Sequence, residues 1–337
     1  MPKPRLRKCR QNLGQAVTRM EEESTTREPD AEFAAAVAAR VVGCEPMAVR
    51  RFRTGVRHRV FDIAFRNRSP VVVRIGDPSA RAGMAGAIYL SGLLRPKGVP
   101  LPAILGQDIQ AEFPWLVLER LPGTDLGEVM SGLAEEQLDE IAASVAQAQA
   151  ISAETQSAGR YGYAARAEQA PHTAWSQVLD ANLARSRQRI ASAALFDVAL
   201  VEIVQAQVDA NRAEIDAIDP TPFLHDTTTR NVIVTAEGAF SGIVDVDDLC
   251  FGDARYPAAL TLAVLMAYGG PTSYVSAWLR FARRADDRVF RLYVSLFLLD
   301  LMSEHGHMFN GNERASTVDR RIALHNAFER NLALIRP

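Results

Sequence analysis

The chain changes texture once along its length. Segments of β-type character fall almost wholly before Gly123, and segments with a 3.6-residue apolar period fall almost wholly after it. Residues 50–65, RRFRTGVRHRVFDIAF, alternate around Gly55, and residues 68–76, RSPVVVRIG, form a β-branched run bounded by Pro70 and Gly76. Together they predict two paired strands. A further strand is predicted in FPWLVLERLPG, residues 113–123, where Pro122-Gly123 stops it. Two helices belong to this first part. One is Ala/Val-rich, from Ala31 to Val42; the other spans 79–95, with Leu90, Leu93 and Leu94 on one face, and ends at Gly98-Val99-Pro100-Leu101-Pro102. Beyond Gly123, helices are predicted over 134–153, 173–191, 195–218, 256–268, 273–283, 286–304 and 317–334. The exception is 223–250, where short strands at 231–235 and 241–245 flank the turn Glu237-Gly238. There is no internal repeat. This order predicts an α+β chain of two lobes with a cleft between them. A small β-rich lobe over 31–118 leads through a connection at 119–124 to a larger, mainly helical lobe over 125–337 that carries one short hairpin. Residues 1–30 are polar, end in the charge run RMEEESTTREPD, and read as a flexible tail.

Composition excludes several classes. With a formal net charge of −2 there is no electrostatic case for nucleic acid or an anionic membrane as partner. The longest apolar stretches, Ala258–Tyr268 and Leu292–Met302, fall short of the ~20 residues a membrane helix needs and read as core helices. The basic N-terminal residues have no apolar stretch behind them, so no secretory signal is read there. Cys9, Cys44 and Cys250 make neither a disulfide framework nor zinc spacing, which fits a reducing cytoplasm. His305 and His307 stand at i, i+2, a spacing that does not share a helix face, so zinc is not expected there either.

The chemistry concentrates in FLHDTTTRNVIV, residues 223–234, and SGIVDVDDLCFGD, residues 241–253. Asp226 and Asn231 stand five apart, and Asp245 follows fourteen residues later at the end of an apolar run. Phosphoryl transfer asks for this set: one carboxylate to orient an attacking hydroxyl, and an amide and a second carboxylate to hold Mg²⁺ against nucleotide phosphates. Asp226 precedes a strand, where it can face a cleft and act as base. The strand–turn–strand between Asn231 and Asp245 would bring those two together.

These motifs resemble the aminoglycoside phosphotransferase family, which has a kinase-like fold and includes choline, homoserine and macrolide kinases. The family's segment HGD-x₄-N, then I-D-[WFV] and G-D-P, is matched by Leu224-His225-Asp226, Asn231, Val244-Asp245-Val246 and Gly252-Asp253. The likeness covers about residues 45–270. It implies a transfer of the γ-phosphoryl of ATP or GTP, with Mg²⁺, to a hydroxyl of an antibiotic (aminoglycoside- or macrolide-like) or a metabolite. It places the phosphate loop at Thr54-Gly55-Val56-Arg57-His58, with Gly55 against the nucleotide. It puts Arg74 of VVVRI where the family has a phosphate-pairing Lys, and main-chain groups of Glu119, Arg120 and Leu121 against the base. It also makes Asp300, Glu304, His307 and Glu313 candidates for contacting the acceptor.

The chain departs from the family in three places. Leu224 replaces a His two residues before Asp226, and His225 fills a Gly position, which predicts packing or structural hydrogen bonding for His225. The helix after Arg74 normally offers a Glu to the cation, yet no acidic residue lies between Asp77 and Asp108. Pro257 takes the place of a helix-starting Asp, which a first helical turn tolerates. Asp247 and Asp248 are extra acids near Asp245 and read as solvated loop charges, the alternative being that one of them supports the metal ligands from behind. The first two departures leave a second function open: a pseudokinase-like nucleotide-binding module without efficient catalysis.

Overall fold

A computed structural model describes residues 30–52, 58–309, 312–313 and 316–335. The expected tail therefore lies outside the described residues except for Asp30, which caps the first helix by accepting from the Phe33 N–H at 3.0 Å.

The small lobe contains α1 (Ala31–Val42), β1 (Ala48–Arg51), β2 (Arg59–Ala64), β3 (Val71–Ile75), α2 (Arg81–Leu94), β4 (Ile104–Asp108) and β5 (Trp115–Glu119). Its strands form one antiparallel sheet in the order β1-β2-β3-β5-β4. The period of two along β3 sorts its side chains. Val71, Val73 and Ile75 pack with Ala34, Val37 and Ala38 of α1, whereas Arg74 lies opposite Leu116, which packs with Met84 and Ala87 of α2. One helix thus covers each face, and the only cation in β3 is delivered to the α2 side.

The large lobe runs through β6 (Thr124–Asp125), α3 (Leu126–Val129), α4 (Glu135–Ala153), β7 (Gly162–Ala164), α5 (Trp175–Ala193), α6 (Ala199–Ala210), α7 (Arg212–Asp216), β8 (Thr221–Phe223), β9 (Val232–Val234), β10 (Phe240–Ile243), β11 (Leu249–Gly252), α8 (Tyr256–Tyr268), α9 (Ser273–Phe281), α10 (Arg288–Ser303), β12 (Met308–Phe309), β13 (Asn312–Glu313) and α11 (Val318–Leu332). Its core is built from α4, α5 and α8 to α11 around Trp175, Tyr256, Trp278, Tyr293 and Phe328. The α+β two-lobed architecture is the expected one. Among the described residues no helix is long and apolar enough to cross a membrane. Cys44 and Cys250 are both free thiols.

Several elements differ from expectation. The helix over 195–218 is two, α6 and α7, because Asn211 turns its side chain back onto the Gln207 carbonyl at 2.6 Å and breaks the period. β4 was not expected, nor was the sheet β7-β11-β8, which joins three short segments far apart in sequence. Beyond α10, β12 and β13 pair antiparallel, Met308 opposite Glu313.

Two close approaches fix the hairpin β9–β10, one from within the large lobe and one from the small lobe. Where the connection ends, β6 pairs with β9, Thr124 facing Val234, so β9 is the central strand of the sheet β10-β9-β6. At the hairpin's other end, the Ile243 N–H donates to Pro100 O at 2.9 Å, from the segment between α2 and β4.

Candidate active site

The loop between β8 and β9 carries Asp226 and Asn231, and a residue from α4 holds it. Gln149 is buried. Its Oε1 accepts from Leu224 N at 2.9 Å, and its Nε2 donates to Leu224 O at 2.8 Å and to Thr227 Oγ1 at 3.0 Å. Both main-chain groups of Leu224 are thereby satisfied in an apolar setting where its side chain also packs. Replacing Gln149 by Leu is expected to leave these groups unpartnered and to lower stability by about 2–4 kcal/mol. Denaturant melts would show it, with a loss of turnover at temperatures where the variant stays folded. Nothing local in the sequence marks Gln149, since a polar residue in an Ala/Gln-rich helix looks exposed.

Beyond that anchor, Asn231 Nδ2 donates to Asp226 O at 2.9 Å, and Thr228 Oγ1 lies 3.3 Å from Asp226 Oδ1. The last rung of the hairpin is Val244 N to Asn231 O, 2.9 Å, which places Asp245 beside Asn231. Asp245 then adopts a left-handed backbone, φ 63°, ending the strand short of the expected 241–245. Such a conformation is uncommon outside glycine, and Asp is among the residues that tolerate it. The kink leaves the Asp245 side chain 56% exposed, with Oδ1 3.3 Å from Arg74 Nη1.

Arg74, only 5% exposed, is held on three sides. Its Nη1 donates to Asp247 Oδ1 at 2.7 Å, its Nη2 donates to Asp247 Oδ2, and a ring nitrogen of His58 lies 2.9 Å from Nη2. Asp247 is therefore a partner of the buried cation, correcting its reading as a loop charge. The acid-free stretch between Asp77 and Asp108 signals that a partner must come from elsewhere, but not that Asp247 supplies it. Among the described residues, Arg74 Nε is buried and without a hydrogen-bond partner. It is a donor that a phosphate oxygen suits.

The charges perturb one another. Burial alone would lower the Arg74 guanidinium, but the hydrogen bond from Asp247 and the charges of Asp245 and Asp247 outweigh it and raise its pKa. Burial pushes the Asp226 carboxyl above its ordinary value; the His225 charge pulls it back, and the like charge of Asp245 raises it further. Among the described residues no three acidic, His or Cys side chains form a metal cage. Asn231 and Asp245 offer one amide oxygen and one carboxylate. That donor set suits hard Mg²⁺ shared with nucleotide phosphates, since Asn231 Nδ2 is already engaged and Asp245 is exposed to the cleft.

Of the other expected residues, Gly55 lies outside the described residues. In the connection, Glu119 N–H donates to Ala103 O at 2.8 Å and Leu121 O accepts from the Arg120 guanidinium, so these two main-chain groups are already committed. The Arg120 side chain reaches Asp62 of β2 at 3.4 Å. Asp300 pairs with Arg185 at 3.0 Å, and His307 Nε2 donates to Arg189 O at 3.1 Å. Glu304 caps α10, and Glu313 lies in β13 opposite Met308. His305 contacts Ser316 Oγ and the Phe196 ring, so the two histidines do not converge. His225 donates from Nδ1 to Asp248 O at 3.2 Å and meets the Tyr163 ring edge-on at 5.1 Å, as its expected structural role requires. Burial pushes the Tyr163 phenol up, and the charges of Arg185 and Asp300 also act on it.

Asp253 is structural: it receives the Arg255 guanidinium and the Tyr293 hydroxyl. Gly252 is required by Trp175, which a Cβ would meet at 2.3 Å. Pro257 stands in the first turn of α8, where a proline is tolerated.

A family model described as a phosphotransferase enzyme family matches residues 48–293, well over half of the chain. A search of curated proteins finds no match. Among solved structures, a thermostable mutant of aminoglycoside phosphotransferase APH(4)-Ia in its apo form superposes with TM-score 0.65 at 18% identity, covering 90% of this chain and 98% of that one. ADP-bound aminoglycoside phosphotransferase APH(2'')-Ib superposes with TM-score 0.60 at 14% identity, covering 91% and 99%. The streptomycin–ATP–APH(2'')-IIa ternary complex does so with TM-score 0.61 at 14% identity, covering 90% and 96%. At such identities the likeness establishes a shared two-lobed fold.

Proposed function

Because the chain belongs to the phosphotransferase enzyme family, we propose that it moves the γ-phosphoryl group of ATP or GTP to a hydroxyl of a small molecule. In this reading Asp226 is the base, Asn231 and Asp245 hold Mg²⁺, and Arg74 binds the phosphates. The observation that carries it is the rung from Val244 N to Asn231 O, which sets Asp245 beside an Asn231 already bonded to Asp226. The acceptor oxygen forms a bond to the γ-phosphorus as the bond to the bridging oxygen breaks, and the hydroxyl proton passes to Asp226. When bound, Mg²⁺ supplies neutralisation of phosphate charge; the protein's own part is to position the base and the cation.

Structures of the same fold are described with hygromycin B, streptomycin and gentamicin, which supports an acceptor of the antibiotic class, aminoglycoside- or macrolide-like, or a metabolite of similar character. Asp300 is already paired with Arg185, so its charge is partly spent before any cationic acceptor arrives. A nucleotide-consumption screen against hydroxylated antibiotics and metabolites tests the reading directly. Turnover with none of them, alongside no Mg²⁺-dependent thermal shift by ATP or GTP, would sink it. The second reading, a binding module without efficient chemistry, draws on Arg74 being held by both Asp245 and Asp247. Nucleotide binding without acceptor-dependent turnover is its signature.

The pH profile carries its own expectation. A carboxyl raised above its ordinary value keeps its proton to higher pH, so the base is lost earlier on acidification than an exposed Asp would be. The acid limb of kcat/KM should lie above the ordinary Asp value, and His225→Gln should move it further up by removing the charge that favours the carboxylate. A wild-type limb at the ordinary Asp value would contradict Asp226 as base.

A further inference from the structure

The cation of β3 is aligned from an unexpected direction. α2 carries no acidic residue, and where it faces the metal-binding loop it carries glycine. A Cβ on Gly86 would lie 2.2 Å from Asp247 O, and one on Gly83 would lie 3.4 Å from Asp247 Oδ2. The loop after Asp245 therefore fits against a bare strip of helix. Any larger residue at 86 would drive its backbone away, because backbone cannot yield as a flexible side chain can. Through that opening the Asp247 carboxylate reaches Arg74 with two hydrogen bonds, while Asp245, two residues earlier, reaches it with one oxygen at 3.3 Å.

We propose that Asp247 is the positioning residue of Arg74, and that the glycines of α2 admit it. It supplies from the metal-binding loop the carboxylate that the resembled enzymes place on the helix. The inference rests on the phosphotransferase reading of the site. It adds that the phosphate-binding cation and the metal-binding carboxylate are aligned by one three-residue segment, Asp245-Val246-Asp247, across the cleft. Arg74 belongs to the small lobe and Asp247 to the large one, so the carboxylate that fixes the cation's orientation reaches it only when the lobes are together. In an enzyme with the acid on α2, that orientation would be a property of the small lobe alone.

The test is steady-state kinetics on the full chain, varying nucleotide and acceptor separately, with Asp247→Asn and a relocation pair. Losing a charged hydrogen-bonding partner is expected to raise the nucleotide KM roughly 10- to 100-fold and leave the acceptor KM nearly unchanged. In Asp247→Ala the space beside Gly83 is freed, so Asp247→Ala/Gly83→Glu returns a carboxylate to Arg74 from the helix. That double variant should recover most of the nucleotide KM lost by Asp247→Ala alone. Asp247→Asn kinetics equal to wild type would overturn the proposal. So would both KM values moving together with a lowered melting temperature and no rescue by Gly83→Glu, which is the mark of a merely structural tie. A wild type without nucleotide turnover or Mg²⁺-dependent nucleotide binding would remove the phosphotransferase reading itself and this one with it.

Discussion

Asp226→Asn is expected to lower kcat by about 10²–10⁴-fold while the nucleotide KM changes by no more than about threefold. The substitution keeps shape and removes only the capacity to take a proton. The loop does not depend on the carboxylate for its form: Asn231 grips the main-chain oxygen of Asp226, and Gln149 grips Leu224. The native carboxylate is also held at a disadvantage, by burial and by Asp245, so the neutral amide should not destabilise the fold. Kinetics and a thermal melt on one preparation separate these effects. Turnover at the wild-type rate would move the base elsewhere.

Gly123→Ala is expected to be the most damaging small substitution to the fold, by about 3–5 kcal/mol, since strain and overlap add. Gly123 has φ +107°, and a Cβ there would stand 1.8 Å from Val234 O and 2.5 Å from Val234 C. Both neighbours are backbone of the hairpin β9–β10, so no rotamer change relieves the overlap. Gly132→Ala is the matched control, because a Cβ at 132 meets nothing within 4 Å. A melting temperature lowered by on the order of 5–10 °C for the first variant, with little change for the second, is the expected pattern. Equal melting temperatures would mean that the connection does not pass as close to β9 as described.

What could be read in advance depended on whether a feature was local. Asp226, Asn231 and Asp245 announced themselves because a single hairpin joins them and its period is visible in the chain. Helices with long apolar faces, such as α8 and α10, were equally plain, and β3 was marked by three consecutive valines. The strands β7, β8 and β11 were not, because each has three or four residues and finds its partner tens of residues away. Gln149 and Asp247 belong to the same class. One is a helix residue bonded to a loop 75 residues on, the other an acid bonded to a cation 173 residues back, and neither pairing leaves a periodic trace. The missing acid in α2 was visible, but the place that supplies its substitute was not.

The pairing of Thr124 with Val234 and the bond from Ile243 to Pro100 hold the hairpin β9–β10 near its two ends. The first holds it within its own lobe, and the second carries a main-chain bond across to the small lobe. A shift of the segment between α2 and β4 is therefore passed directly to the strand that ends two residues before Asp245.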